Sequence, residues 1–535
     1  MSEVTNDLII RGGTVVDGTG APRKTADIAV SRGRIVHVGD IEPDGRFELD
    51  ATGLVVAPGF INILSHAYES LQQDARGLSD LYQGVTTEVF GEGYSLGPVI
   101  DRAVEIVDPT PREDGVRTAF PRLNDFLESL EANGVGPNVA SFVGAHNLRA
   151  IRAGADKRQL TDDELRSVCA ILDEELAAGA LGVGSSLLYA PGVYASTEEL
   201  AAYAGVASAH DALYISHIRD EAAHLEESVR EVIDIARMSA ARAHVWHLKA
   251  SGRDNWHRMA EAIRLIADAR EEGIEISADL YPYEAGGTSL AASIPPWYFD
   301  GGEKALLRRV TDPVVRARII ADIRVSSGTW ENIHLDAGGA EGVLLQGGRG
   351  SNAEAAGKTL AQFSALRGYG DPLEALLDLV AEDPHTEALY FCMSEENIRL
   401  GLEQSWVSVC SDAEAASTEP PFSDSPTHPR AYGSFARVLG PYVRDGLLTL
   451  EEAVRRMTSL PADTLRLVGR GRVGAGEWAD LAIFDPDAVR DHATYSEPHR
   501  YASGMRHVLV NGRFALRDGN PTGTLAGRAL RRGVR

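Results

Sequence analysis

The sequence predicts an α/β protein: a (β/α)8 TIM-like barrel carrying a small β-sandwich domain built from both chain ends. Three observations predict it. Short apolar runs alternate with helical stretches through the middle of the chain, eight such runs can be counted, and Gly-punctuated hairpin segments of one texture stand at either end.

The elements follow in order. Residues 1–57 contain Asp7-Leu-Ile-Ile-Arg-Gly-Gly, Asp27-Ile-Ala-Val-Ser-Arg-Gly and Gly53-Leu-Val-Val-Ala, alternating strands broken by turn residues. The eight core strands are expected at 60–64, 86–91, 138–145, 182–188, 213–218, 244–249, 275–280 and 406–411. Amphipathic helices lie between several of them, at 161–178, 225–237 and 256–272. The stretch 284–404 is too long for one βα connection, and with Ile294-Pro-Pro-Trp-Tyr298 and a Gly-rich run at 338–350 it is expected to form a lid. Strand texture returns in Ala479-Asp-Leu-Ala-Ile-Phe-Asp-Pro486 and Met505-Arg-His-Val-Leu-Val-Asn-Gly512. The predicted domains are therefore a composite β-sandwich from 1–57 with 466–535, and a barrel from 58–465.

Charge narrows the partners. In 535 residues, 52 Lys and Arg face 78 Asp and Glu, a net charge of −26 that repels the phosphates of nucleic acid and of anionic membranes. A small-molecule substrate is the expected partner, and a homo-oligomer is allowed. Cys169, Cys392 and Cys410 are too few and too scattered for a disulfide framework or a paired-cysteine zinc site. The chain opens without a basic segment leading into an apolar one, and it has no run of about 18 apolar residues. The expected location is the cytoplasm.

In a barrel of this kind the chemistry sits at the C-terminal ends of the strands. Strand five ends Ser216-His217-Ile-Arg219-Asp-Glu221, and strand six ends His247-Leu-Lys249. Two histidines on neighbouring rigid strands suit a divalent metal, so His217 and His247 are the first ligand candidates. Alternation places His247 on one face with Val245 and Lys249, and His244 on the other, as a structural residue. Glu92, between two glycines past strand two, is the third candidate, whereas Glu88 sits mid-strand and is expected to face outward. Asp412 closes strand eight, where a carboxylate can act as general base and then as acid. Lys249, Arg219 and Arg430 are the cations available to a substrate carboxylate, with strand geometry favouring Lys249.

Taken together, Val56-Ala-Pro-Gly-Phe-Ile61, Gly84-Val-Thr-Thr87, Ser216-His217-Ile-Arg-Asp-Glu221, Asp279-Leu-Tyr-Pro-Tyr283, Ser411-Asp412 and His428-Pro-Arg-Ala-Tyr-Gly433 resemble, in order, the motifs of the amidohydrolase superfamily. Within it, the chain resembles the N-acyl-D-amino-acid deacylases, or D-aminoacylases. That resemblance implies a barrel with a split β domain, zinc, and hydrolysis of an N-acyl amide on a D-amino acid. It implies His217 and His247 as metal ligands and Asp412 as the catalytic aspartate. It also implies Tyr189, Lys249 and Tyr283 as residues that contact substrate.

Two departures stand out. Where the family writes a His-x-His pair, this chain has Leu64-Ser-His66, and leucine cannot ligate. Where the family places a metal-binding cysteine, alignment places Glu92, a harder anionic ligand. Strand four carries no lysine, so the carboxylated-lysine bridge of two-metal relatives is excluded. One divalent metal is expected on Glu92, His217 and His247, zinc first, with manganese or iron as alternatives. His66 is expected to line the pocket, with a ligand role at a weaker second site as the lesser alternative. Two rival functions stay open: hydrolysis of another amide such as a cyclic ureide, dipeptide or acylated secondary metabolite, and a catalytically impaired homologue that binds a small molecule.

Overall fold

A computed structural model describes residues 7–42, 47–107, 115–325, 328–347, 350–424 and 426–534. The opening residues 1–6, and Gly348 and Arg349 of the Gly-rich run, lie outside the described residues. No described helix is long and apolar enough to cross a membrane.

The chain begins with β1 (Leu8–Val15), β2 (Lys24–Ser31), β3 (Arg34–Gly39), β4 (Glu48–Asp50) and β5 (Val55–Pro58). Nine parallel-sheet segments follow through the centre: β6 (Phe60–Asn62), β7 (Val85–Phe90), β8 (Asn138–Ser141), β9 (Val143–Gly144), β10 (Gly182–Ser186), β11 (Leu213–His217), β12 (Arg242–Val245), β13 (Ile276–Leu280) and, after an insertion, β17 (Val407–Val409). The insertion holds β14 (Gly286–Ser289), β15 (Val343–Leu345) and β16 (Glu387–Tyr390) in a small antiparallel sheet with its own helices. The chain ends with β18 (Leu481–Phe484), β19 (Met505–Val510), β20 (Arg513–Arg517) and β21 (Asn520–Pro521).

Both ends of the chain enter one sheet. β5 pairs antiparallel with β18, Val55 opposite Phe484 and Pro58 opposite Leu481, which joins the opening strands to the closing ones. The result is nine hydrogen-bonded strands, where the sequence suggests two facing sheets. The sheet turns back on itself: Ile35 N–H donates to the Glu477 carbonyl at 2.9 Å, and Gly476 N–H to the Ile35 carbonyl at 2.7 Å. Ile10, Ile28, Val30, Val56, Leu481, Ile483 and Leu509 fill its interior. These bonds cover the β3 edge, which would otherwise be open.

In the centre, β6, β7 and β8 pair in parallel, and β9 through β13 and β17 pair in parallel in the order β17-β13-β12-β11-β10-β9. Only Phe142 separates β8 from β9, so the two sheets continue through one strand path. At the other end Ser65 bridges Ala413 in parallel, with Asp412 N–H on the Leu64 carbonyl and His66 N–H on the Ala413 carbonyl, both at 2.9 Å. Alternating residues divide between two cores. Phe60, Val139, Val183, Tyr214 and Val245 belong to the layer shared with the helices, while Ile61, Ala140, Ile215 and the fully buried Trp246 belong to a separate cluster among the strands. That cluster is the floor on which the polar strand ends stand.

The surrounding helices form for local reasons. Asp162–Ala177 starts in a capping box, Thr161 Oγ1 accepting from Glu164 N–H and Glu164 accepting from Thr161 N–H. Leu225–Ser239 buries Leu225, Val229, Val232 and Ala236, one stripe at helical spacing. Burying each of Leu225, Val229 and Val232 contributes roughly 1.5–3 kcal/mol; this stripe packs the helix against β12, the strand that leads to His247.

Candidate active site

Glu92 stands at the centre of the polar strand ends. It follows β7 in a Gly91-Glu92-Gly93 turn whose glycines have φ of 109° and 66°, and a Cβ on Gly93 would lie 2.7 Å from Ser186 Cβ. Glu92 Oε1 lies 2.8 Å from His217 Nδ1 and 3.1 Å from His247 Nε2, and Oε2 lies 3.1 Å from His66 Nε2. His66 Nε2 in turn is 2.9 Å from Asp412 Oδ1, while Arg430 Nη1 donates to Asp412 Oδ2 at 2.6 Å. Two groups of potential ligand atoms result, each within 4.8 Å: Glu92 with His217 and His247, and His66 with Glu92 and Asp412.

The first group fits a divalent metal by its donor chemistry. Two imidazoles and one carboxylate are three protein ligands, and such a set leaves a fourth position for water or substrate. His217 and His247 meet edge to face, with ring centroids 4.4 Å apart, and each is at most 5 % exposed, so neither ring needs to reorganise to converge. Glu92 is the carboxylate shared by both groups.

Neighbouring residues hold these groups in place. Lys249 Nζ lies 2.7 Å from His247 Nδ1 and 2.6 Å from Glu221 Oε1, and Glu221 Oε2 approaches His217 Nε2 at 3.8 Å. Asp279 on β13 accepts from His247 N–H at 2.7 Å with one oxygen and meets His244 Nε2 at 2.9 Å with the other. His244, also 2.7 Å from Ser277 Oγ, is fully buried away from the cavity. His247 and Asp412 have φ of 36° and 50°, left-handed values that cost energy for residues with side chains and that concentrate at functional sites.

Electrostatics follow from burial opposed by close charges. Burial alone would raise Glu92, but His217, His247 and His66 hold it well below the usual carboxylate range. Burial would also raise Asp412; Arg430 and then His66 more than offset it and keep the carboxyl below 3.8. His66 is pushed up to about 10, Asp412 and Glu92 overcoming its desolvation. His247 is pushed up to about 9, since Glu221 and Glu92 outweigh burial and Lys249.

The inner cavity, about 190 Å³, is lined by His66, Glu92, His217, His247, Lys249, Tyr189 and Asp412. Tyr189 donates to Thr288 Oγ1 at 3.0 Å, and its ring meets the edge of His217 at 5.4 Å. Tyr283 does not line this cavity. It packs behind it, under the Arg437 guanidinium at 4.7 Å and against Gly433, where a Cβ would sit 2.3 Å from its hydroxyl. Tyr281 lines the cavity instead, with Arg430 over its ring at 4.6 Å and Lys249 at 5.9 Å. The Asp279–Tyr283 motif bends after β13, so the two tyrosines part company. Arg219 is also absent from the inner cavity: Glu231 pairs with it at 2.8 Å, and its Nη1 donates to the Val193 carbonyl.

Glu88 does not face outward to solvent. It is fully buried, accepts from Asn62 Nδ2 at 3.0 Å, and its carboxyl is pushed up to about 8 by burial. Asn62 also bonds Ser411, the residue before Asp412, so this buried network braces strand eight. Glu221 had no assigned role in the sequence; its position four residues after His217 was the available signal.

Fold and site together define an amidohydrolase: parallel strands whose ends carry histidines, a shared carboxylate and an aspartate. Residues 420–515 match the amidohydrolase family model. The N-acyl-D-glutamate deacylase of Alcaligenes xylosoxydans xylosoxydans is 35% identical over 98% of this chain and 96% of its own, and the D-aminoacylase of the same organism is 34% identical over 98% of both. A crystal structure of the N-acyl-D-glutamate deacylase from Bordetella bronchiseptica, complexed with zinc and a phosphonate mimic of the tetrahedral intermediate, superposes with a TM-score of 0.80 at 32% identity, covering 98% of this chain and 100% of that one. The chain belongs to the D-aminoacylase family of amidohydrolases.

Proposed function

We propose that this chain is a metal-dependent hydrolase of N-acyl-D-amino acids, releasing a carboxylic acid and a free D-amino acid. The observation that carries the proposal is the Glu92 carboxylate, within 3.1 Å of three imidazoles and one residue removed from Asp412 through His66. The closed sequence of strand pairings, with Ser65 bridging Ala413, supports a (β/α)8 barrel over 58–465 whose insertion at about 284–404 roofs the site. Residues 1–57 and 466–535 form the composite β domain of that proposal. A cytoplasmic setting agrees with the three free cysteines.

Glu92, His217 and His247 are assigned to one metal, zinc by analogy with the Bordetella enzyme. A divalent cation held there supplies Lewis acidity toward an amide carbonyl and lowers the pKa of water toward about 7. Asp412, kept ionised by Arg430, accepts the proton of the attacking water at Oδ1 and returns it to the departing amide nitrogen. His66 orients that oxygen at 2.9 Å and lines the pocket. Lys249 and Tyr189 line the inner cavity, where a substrate carboxylate needs a cation and a hydrogen-bond donor; Arg430, expected to contact substrate, does not line it and instead holds Asp412.

The test is a panel of N-acetyl D- and L-amino acids with chelated, zinc-loaded and manganese-loaded protein. Chelator-sensitive release of free D-amino acid is expected. Metal-loaded protein that cleaves no N-acyl amino acid would refute the assignment.

A further inference from the structure

The inner cavity opens into a vestibule of about 1080 Å³, at the upper end of the range for small-molecule sites. That is far more room than an acetylated amino acid fills. Tyr94, Leu188, Tyr189, Thr288 and Glu331 line both spaces. Leu96, Leu188, Val193, Ile294, Phe299 and Leu306 give the vestibule an apolar wall, the last three supplied by the insertion. Its charged residues are largely matched already. Arg219 pairs with Glu231 at 2.8 Å, Asp234 with Arg237 at 3.1 Å and Glu303 with His385 at 3.2 Å, while Asp220 accepts from the N–H groups of Ala222 and His224. Glu69, Glu227, Arg230 and Glu331 also line the vestibule, so its apolar wall is bordered by charged groups.

The direction of the substrate follows from which residues belong to which space. Lys249, Tyr281 and Asp412 line the inner cavity and not the vestibule. Tyr94 follows the metal-side Glu92 by two residues and Tyr189 touches His217, and both line the passage outward. A carboxylate at Lys249 and an amide carbonyl beside Glu92, His217 and His247 therefore put the amino acid inside and point the acyl group out.

We propose that the vestibule is an acyl-chain site, and that the enzyme acts on N-acyl-D-amino acids carrying a medium or long aliphatic chain. This rests on the deacylase reading above. The experiment measures kcat/KM of zinc-loaded protein for the N-acetyl, N-hexanoyl and N-decanoyl derivatives of one D-amino acid, each below its micellar range. Burying methylenes on the apolar wall should raise kcat/KM by roughly two- to fourfold each, so decanoyl should exceed acetyl by at least about a hundredfold. Ala292→Trp and Val193→Trp, which narrow the vestibule, should each lower the decanoyl-to-acetyl ratio by about tenfold or more. Turnover of the acetyl compound with no gain from chain length, or ratios unmoved in both variants, would overturn the acyl-chain site alone. No turnover of any member would overturn the deacylase reading and this inference together.

Discussion

Replacing Glu88 by glutamine tests the buried network behind strand eight. Glu88 is fully buried, and burial lifts its carboxyl from 4.5 to about 8. Below pH 4.5 the folded and unfolded chains both carry the proton and nothing is lost. Between 4.5 and about 8 the unfolded chain ionises while the fold retains its proton, so stability falls as pH rises, and above about 8 the loss levels off. The difference removes up to about 5 kcal/mol of stability at pH 9. Glutamine keeps an acceptor for Asn62 Nδ2, and its amide can donate to Asp80, whose two carboxylate oxygens lack hydrogen-bond partners. Glu88→Gln should match the parent at pH 4.5 and exceed it by a few kcal/mol at pH 9, read from urea denaturation followed by circular dichroism. Parallel pH profiles for the two proteins, or a less stable variant at pH 9, would refute the reasoning.

Other outcomes follow from the site. Asp412→Asn should lower kcat/KM by roughly 10²- to 10⁴-fold with bound metal unchanged; a loss under about tenfold would move the base elsewhere. Glu92→Ala, His217→Ala and His247→Ala should each lose the metal on dialysis, by elemental analysis, while His66→Ala keeps about one equivalent; equal loss in His66→Ala would contradict the assignment. Arg430→Met removes the main group that offsets burial at Asp412, so the acid limb of the kcat/KM profile should move to higher pH. An unmoved limb would show that Asp412 does not set it.

Much of this was legible in the sequence because strands, helices and the shared sheet leave periodic marks, and because His217, Glu92 and Asp412 fall where strands end. The less legible parts have specific causes. β12 stops at Val245, so alternation through Lys249 does not describe the backbone that delivers His247; a left-handed turn and the Asp279 carboxylate do. Tyr281 and Tyr283 are two residues apart in one motif, and only the bend after β13 decides which of them meets the cavity. Glu88 looks exposed because a charged residue in a strand usually is; its buried place is satisfied by Asn62, twenty-six residues away on the neighbouring strand. Arg219 ends beside Glu231 because the helix Leu225–Ser239 presents that partner twelve residues on.

The β5–β18 pairing has a consequence for synthesis. Val55 waits for Phe484, so the first-made strands leave the ribosome more than four hundred residues before their neighbour exists. Until then β5, Val55-Val56-Ala57-Pro58, has one bare edge, a template for sticking to other nascent chains. Premature termination anywhere before Leu481 therefore yields a chain with an unclasped, aggregation-prone end, and adding the 481–521 segment in trans should restore solubility if that edge is the cause.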